Sequence, residues 1–218
     1  MKLFVADDHY KAYPGRNQFE CIREAYSDMI FRENDWSAFT EFDLVNECDL
    51  LILNMIADTC GLPLPDEKQS EAVKRYLESG KNLLLLHGGS SAFWHCDWFR
   101  QIVGIRWVRK NDPDGVEASF HPKEPFCVKP AKTRHPLVGK LQEMDFPEDE
   151  IYCSLEQVTP VTTLMETTIS LGTCPQCTLS FTPWGGKVIN FLPGHRPEVT
   201  RDPRLVSNLK VLIDYLGE

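Results

Sequence analysis

The run NLLLLHGGSS, residues 82–91, drives four consecutive leucines into a histidine, two glycines and two serines. An apolar strand that stops in a Gly-rich turn and restarts as a helix has the layout of a nucleophile elbow, which lifts one side chain clear of the sheet edge. The tip ordinarily carries Ser or Cys, whereas here it carries His87. Imidazole titrates near neutral pH, so this residue can move a proton or, when neutral, ligate a metal. Gly88 and Gly89 can take positive φ at no steric cost, and Ser90 or Ser91 can cap the helix that follows. The N–H groups of such a turn would favour an oxyanion, carboxylate or phosphate.

His195 ends the strand candidate KVINFLPG in the same way, and two histidines at two strand ends can face one crevice. Glu150 and Tyr152 stand in PEDEIYCS, where a carboxylate beside a tyrosine can orient an imidazole or hold a hydroxylated ligand. His121, in SFHPKEP, is a loop histidine. The catalytic candidates are therefore His87, His195 and Glu150, and the substrate-binding candidates are Gly88, Gly89, Ser90, Tyr152 and His121. Imidazoles with a carboxylate are also the ligand set of zinc and of non-haem iron or manganese, so acid/base and metal-assisted chemistry are both open. Trp94, Trp98 and Trp107 pack the core or offer a face on which a sugar stacks. His135 packs the stretch around it, and His9 and His95 read as surface or helix residues.

A sheet must bring these residues together. KLFVA at 2–6 and DLLILN at 49–54 are short apolar runs that stop at acidic or polar residues, as buried parallel strands do at their carboxyl edge. The spacing predicts a helix over 66–80, with Ala72, Val73, Tyr76 and Leu77 on one face and Gly80 as its stop. NLLLL is then a third strand, and the recurrence of strand, helix and strand argues for a parallel sheet covered on both faces. CTLSFTPW and KVINFLPG form a hairpin through Gly185 and Gly186. Asp202 as N-cap, Pro203 at the first helical position and five apolar residues from Leu205 to Leu216 define a last helix. The polar, Pro-rich stretch at about 104–150 reads as a loop-rich insertion around a short strand, within one domain spanning 1–218.

With 23 basic against 32 acidic residues the net charge is −9, which repels phosphate backbones and anionic lipid. Nucleic acid and membrane are excluded as partners on that ground, and no apolar run reaches the length of a membrane span. A cytoplasmic protein is expected. The eight cysteines are scattered through predicted strands and helices, as reduced core thiols would be. Cys174 and Cys177 form the one close pair, and without a second pair they read as a turn between strands.

The ordered set LLLLHGG, WFRQIVG, HPLVGKL, DEIY and GGKVINFLPGH, followed by a helix, resembles the ThuA-like, trehalose-utilisation family of the class I glutamine-amidotransferase-like superfamily. The likeness spans roughly residues 80–217 and implies a flavodoxin-like α/β three-layer sandwich, its sheet mostly parallel. It also implies a small-molecule carbohydrate ligand, trehalose or a keto-disaccharide. In amidotransferases the elbow is G-x-C-x-G, which lies over Leu85–Gly89 and sets His87 where the cysteine would be. Their His-Pro-Glu resembles His195, Pro197 and Glu198, with Arg196 intervening. Two readings follow: a hydrolase, lyase or isomerase of keto-sugars or glycosides, and a non-catalytic binding or assembly module that self-associates. With imidazole in place of a thiolate, the protein is expected to release no ammonia from glutamine. Ammonia release that a thiol-alkylating reagent abolishes would contradict this.

Overall fold

The computed structural model describes residues 1–8, 11–59 and 61–218; His9 lies outside them. In chain order the elements are β1 (Lys2–Ala6), α1 (Pro14–Ile22), β2 (Met29–Glu33), α2 (Ala38–Glu41), α3 (Leu44–Glu47), β3 (Leu50–Asn54), α4 (Glu67–Glu78) and β4 (Asn82–Leu86). A 3₁₀ turn (His87–Ser91) follows, then α5 (Asp97–Arg100), β5 (Ile105–Arg106), β6 (Lys123–Pro130) and β7 (Met144–Glu150). The chain closes with β8 (Glu156–Gln157), β9 (Thr162–Ile169), β10 (Gly172–Phe181), β11 (Lys187–Phe191), α6 (Pro197–Thr200) and α7 (Pro203–Gly217).

Nine strands form one sheet in the order β2-β1-β3-β4-β11-β10-β9-β6-β7. The first five pair in parallel, as the βαβ pattern predicts. From β11 onward each neighbour is antiparallel, so the sheet is mixed, with a parallel half and an antiparallel half. Within the parallel half both faces are apolar because successive side chains point to opposite sides. Phe4, Ala6, Leu84 and Leu86 pack under α7 with Leu205, Leu209, Leu212 and Ile213. Leu3, Val5, Leu83 and Leu85 pack on the other face with Val73, Tyr76 and Leu77 of α4 and Phe39 of α2. These two layers of helix around one sheet are the flavodoxin-like α/β sandwich. The predicted caps hold: Asp66 completes a capping box with Gln69, and Asp202 accepts the N–H groups of Arg204 and Leu205.

Two expectations need correction. The stretch 104–150 contributes β6 and β7 to the main sheet, where loops around one short strand were expected. Phe126, Val128, Met144 and Phe146 give these strands the alternation that buries one face. Cys174 and Cys177 lie inside β10 and not in a turn, and Cys177 is fully buried in the core. Every cysteine among the described residues is a free thiol.

The topology decides where the site forms. β4 and β11 are neighbours running the same way, so the residues after Leu86 and Phe191 emerge side by side. From β11 to β7 there are four antiparallel steps, an even number, so β7 runs in the same sense as β11 and delivers Glu150 to the same edge. β6 runs opposite and begins at that edge with Lys123, paired in register with Glu150. No helix among the described residues is long and apolar enough to cross a membrane.

Candidate active site

His87 takes φ 48°, the left-handed region that costs a non-glycine residue of order 1 kcal/mol or more. The strained turn of an elbow is therefore present, and it falls on the histidine. Gly88 and Gly89, expected to supply positive φ, do not adopt it. They are glycines for want of room: a Cβ on Gly89 would stand 2.3 Å from the Leu53 carbonyl oxygen, and one on Gly88 would stand 2.4 Å from Ile56. The serines cap no helix either. Ser90 accepts the Trp107 N–H at 3.1 Å and Ser91 donates to the Trp107 carbonyl, so the pair holds Trp107 in place.

The His87 side chain has no solvent exposure. Its Nδ1–H donates to the Leu192 carbonyl at 3.0 Å, which fixes the tautomer and leaves Nε2 as the atom that gains or loses a proton. Nε2 lies 3.1 Å from the Tyr152 hydroxyl and 3.4 Å from Glu150 Oε2. Burial alone would lower the His87 pKa, but the hydrogen bond and charge of Glu150, aided by Asp149, outweigh it and raise it above the ordinary imidazole value. Burial likewise pushes the Glu150 carboxyl up, and His87, His195 and His121 together hold it well below the usual carboxylate range. The pair is thus a buried imidazolium–carboxylate contact.

Glu150 is a hub. Its Oε1 lies 3.1 Å from Lys123 Nζ and 3.6 Å from His121 Nδ1, and its Oε2 lies 4.0 Å from His195 Nδ1. The His87 and His195 ring centroids are 5.1 Å apart. Glu150, Tyr152, His195, His121 and Trp107 line one cleft of about 610 Å³, a size suited to a small organic ligand. His87 stands behind them and does not line it. Tyr152 and His121 lie 4.7 and 5.4 Å from Trp107, giving the cleft an aromatic wall. A larger groove of about 750 Å³ over α2, α3 and α4 has no histidine or tyrosine among the described residues that line it.

Nitrogens of His87 and His195 and a Glu150 oxygen fall within 4.8 Å of one another, a donor set that suits a divalent metal. Tyr152 already occupies His87 Nε2, and Lys123 holds the other oxygen of the Glu150 carboxylate. The structure brings the candidates His87, His195, Glu150, Tyr152 and His121 to one place, whereas Gly88, Gly89 and Ser90 are buried in the turn and do not line the cleft. Glu198, the carboxylate that the His-Pro-Glu likeness implies, is exposed on α6, and Glu150 occupies the place beside His195. Cys96 contacts His95 at 3.3 Å, away from the cleft. His135 meets Tyr215 of α7, also away from it.

The family model for ThuA, trehalose utilisation, matches residues 7–215. The chain belongs to the ThuA family. Its fold is shared with a protein described as ThuA-like from Parabacteroides merdae, at TM-score 0.74 and 14% identity over 99% of this chain and 88% of that one. A cytoplasmic protein of Salmonella typhimurium matches at TM-score 0.69 and 14% identity, covering 99% and 98%. A second ThuA-like protein, from Bacteroides uniformis, matches at TM-score 0.70 and 15% identity, covering 98% and 89%. No curated protein matches the sequence.

Asp149 is the member of this ThuA-family site that sequence reasoning missed. It is fully buried and accepts the backbone N–H groups of His195 at 2.8 Å and Arg196 at 3.3 Å, tying the turn after β11 to the end of β7. Burial raises its pKa, partly offset by the His195 N–H. The alternation of a strand separates the two acids: Asp149 faces the backbone and Glu150 the cleft. Asp149→Ala should cost about 1–3 kcal/mol in urea unfolding, the penalty for orphaned buried donors. A change below about 0.5 kcal/mol would show that the His195 turn does not depend on it.

Proposed function

We propose that this ThuA-family protein is a cytoplasmic enzyme of carbohydrate catabolism that acts on a keto-sugar or a glycoside by proton transfer. The observation that carries the reading is the convergence of His195, Tyr152, His121 and Glu150 on one aromatic-walled cleft, backed by a buried His87. A ketone acidifies the adjoining C–H, so cleavage or isomerisation needs a base for that proton and a donor for the enolate oxygen. His195, at the cleft surface, is placed to take the proton. Tyr152 is placed to donate its hydroxyl to the oxygen, with the His87 imidazolium hydrogen-bonded behind the phenol and His121 beside it. Glu150 keeps His87 charged and so acts through it as a positioning residue. Trp107 offers an apolar face to a sugar ring.

On this reading His195→Ala and His87→Ala each lower turnover of a keto-disaccharide by about 100-fold while the protein stays folded. The double variant should be little worse than either single one, because groups acting in one step are not additive. The His87 imidazolium is present at low pH and lost as pH rises through its raised pKa, so it sets the alkaline limb of the activity. The alkaline limb should therefore lie above pH 6.5, the ordinary imidazole value, and move down in Glu150→Gln. Small additive effects, or a limb that ignores Glu150, would contradict the reading. Turnover should survive exhaustive chelation; restoration only by an added divalent metal would assign the same three side chains to metal-assisted chemistry instead.

A further inference from the structure

The cleft is a cationic place on an acidic protein. Among the described residues that line it Glu150 is the one acid, against Arg109, Lys110, Lys123, His121 and His195. The arginines nearby in sequence show what compensation looks like in this chain. Arg106 pairs with Asp112, Asp114 and Glu156, and Arg100 pairs with Asp97 and Asp114. Arg109, three residues beyond Arg106, has no carboxylate partner among the described residues. Its guanidinium is held instead by neutral acceptors, the Ala57 carbonyl at 3.0 Å, the Thr59 hydroxyl at 2.9 Å and the Asp58 carbonyl at 3.2 Å. It also lies 4.8 Å from the centre of the Trp94 ring. These contacts fix the group without neutralising it, so a rigid positive fork, with two N–H donors beyond those three bonds, is committed to the cleft wall. Lys110 adds a second charge with no ion-pair partner among the described residues, and Lys123 shares one carboxylate with three histidines.

We propose that the sugar taken by this cleft carries an anionic group, a carboxylate or a phosphate, and that Arg109 receives it with Lys110 at the rim. Planar bidentate recognition of such groups is what a pre-positioned guanidinium does best. The acidic exterior makes the cleft the favourable destination for a small anion, a preference that salt screens. The proposal rests on reading the cleft as a sugar site, and it is tested by binding alone, so it does not depend on turnover.

Calorimetric titration of the wild-type protein with a hexuronate, a hexose 6-phosphate and the matching neutral hexose decides it. One of the two anions should bind at least about 10-fold tighter than the neutral sugar at low ionic strength, and which one does so separates carboxylate from phosphate. The preference should shrink at 0.5 M salt, and Arg109→Gln should remove most of it. Because Arg109 also ties down the turn at 57–59, the exposed Lys110→Gln serves as a second variant and should reduce the preference without lowering the melting temperature. A neutral hexose bound as tightly as either anion, or a preference that survives both substitutions, overturns the anion and leaves the sugar site standing. Binding of none of the three overturns both.

Discussion

Taking an imidazole wholly out of water disfavours its charged form, and His87 has no solvent-exposed side chain. What reverses that preference is chiefly one carboxylate, Glu150, 3.4 Å from Nε2, with Asp149 and the Leu192 carbonyl on the opposite nitrogen adding to it. The contact ties β4 to the far edge of the sheet, since Glu150 ends β7. It sets the charge behind Tyr152 and brings His121, Lys123 and His195 around the same two oxygens. Removing Glu150 would let burial strip His87 of its charge, and removing His87 would leave Glu150 to Lys123, His121 and His195, which is why the charge state of the site depends on this pair.

The fold exists in a form that makes the contact possible. A sheet that stayed parallel would meet each new strand through a crossover helix. Here the antiparallel extension through β10, β9 and β6 returns β7 to the sense of β11, so that an acid from sequence position 150 ends at the edge where residues 87 and 195 emerge. Asp149, one residue earlier and on the opposite side of the strand, fastens the His195 backbone to the same element. Adjacent acids in one strand thus serve two tasks, one holding the backbone and one holding charge.

Much of this was legible in the residues. Strand ends are visible where apolar runs stop, so His87 and His195 could be placed at the carboxyl edge, and the PEDEIYCS cluster pointed to Glu150 and Tyr152. The reason for Gly88 and Gly89 was not legible, because close approach to Leu53 and Ile56 is a tertiary constraint that looks in sequence like a demand for positive φ. β6 and β7 were hidden by their prolines and charges, which suggest loops, although Phe126, Val128, Met144 and Phe146 alternate as strand residues do. Arg109 and Lys123 gave no signal, since an isolated cation in a polar stretch reads as solvated until its neighbours are known.

The central claim is that Glu150 keeps a buried His87 charged. Nitrogen-15 NMR of the imidazole, followed through a pH titration, measures it directly. The wild-type protein should retain a proton on both His87 nitrogens to a pH above 6.5, and in Glu150→Gln, where only the Asp149 charge and the Leu192 carbonyl still oppose burial, Nε2 should lose its proton at a lower pH than in the wild type. A His87 that titrates at the same pH in both proteins would contradict the account.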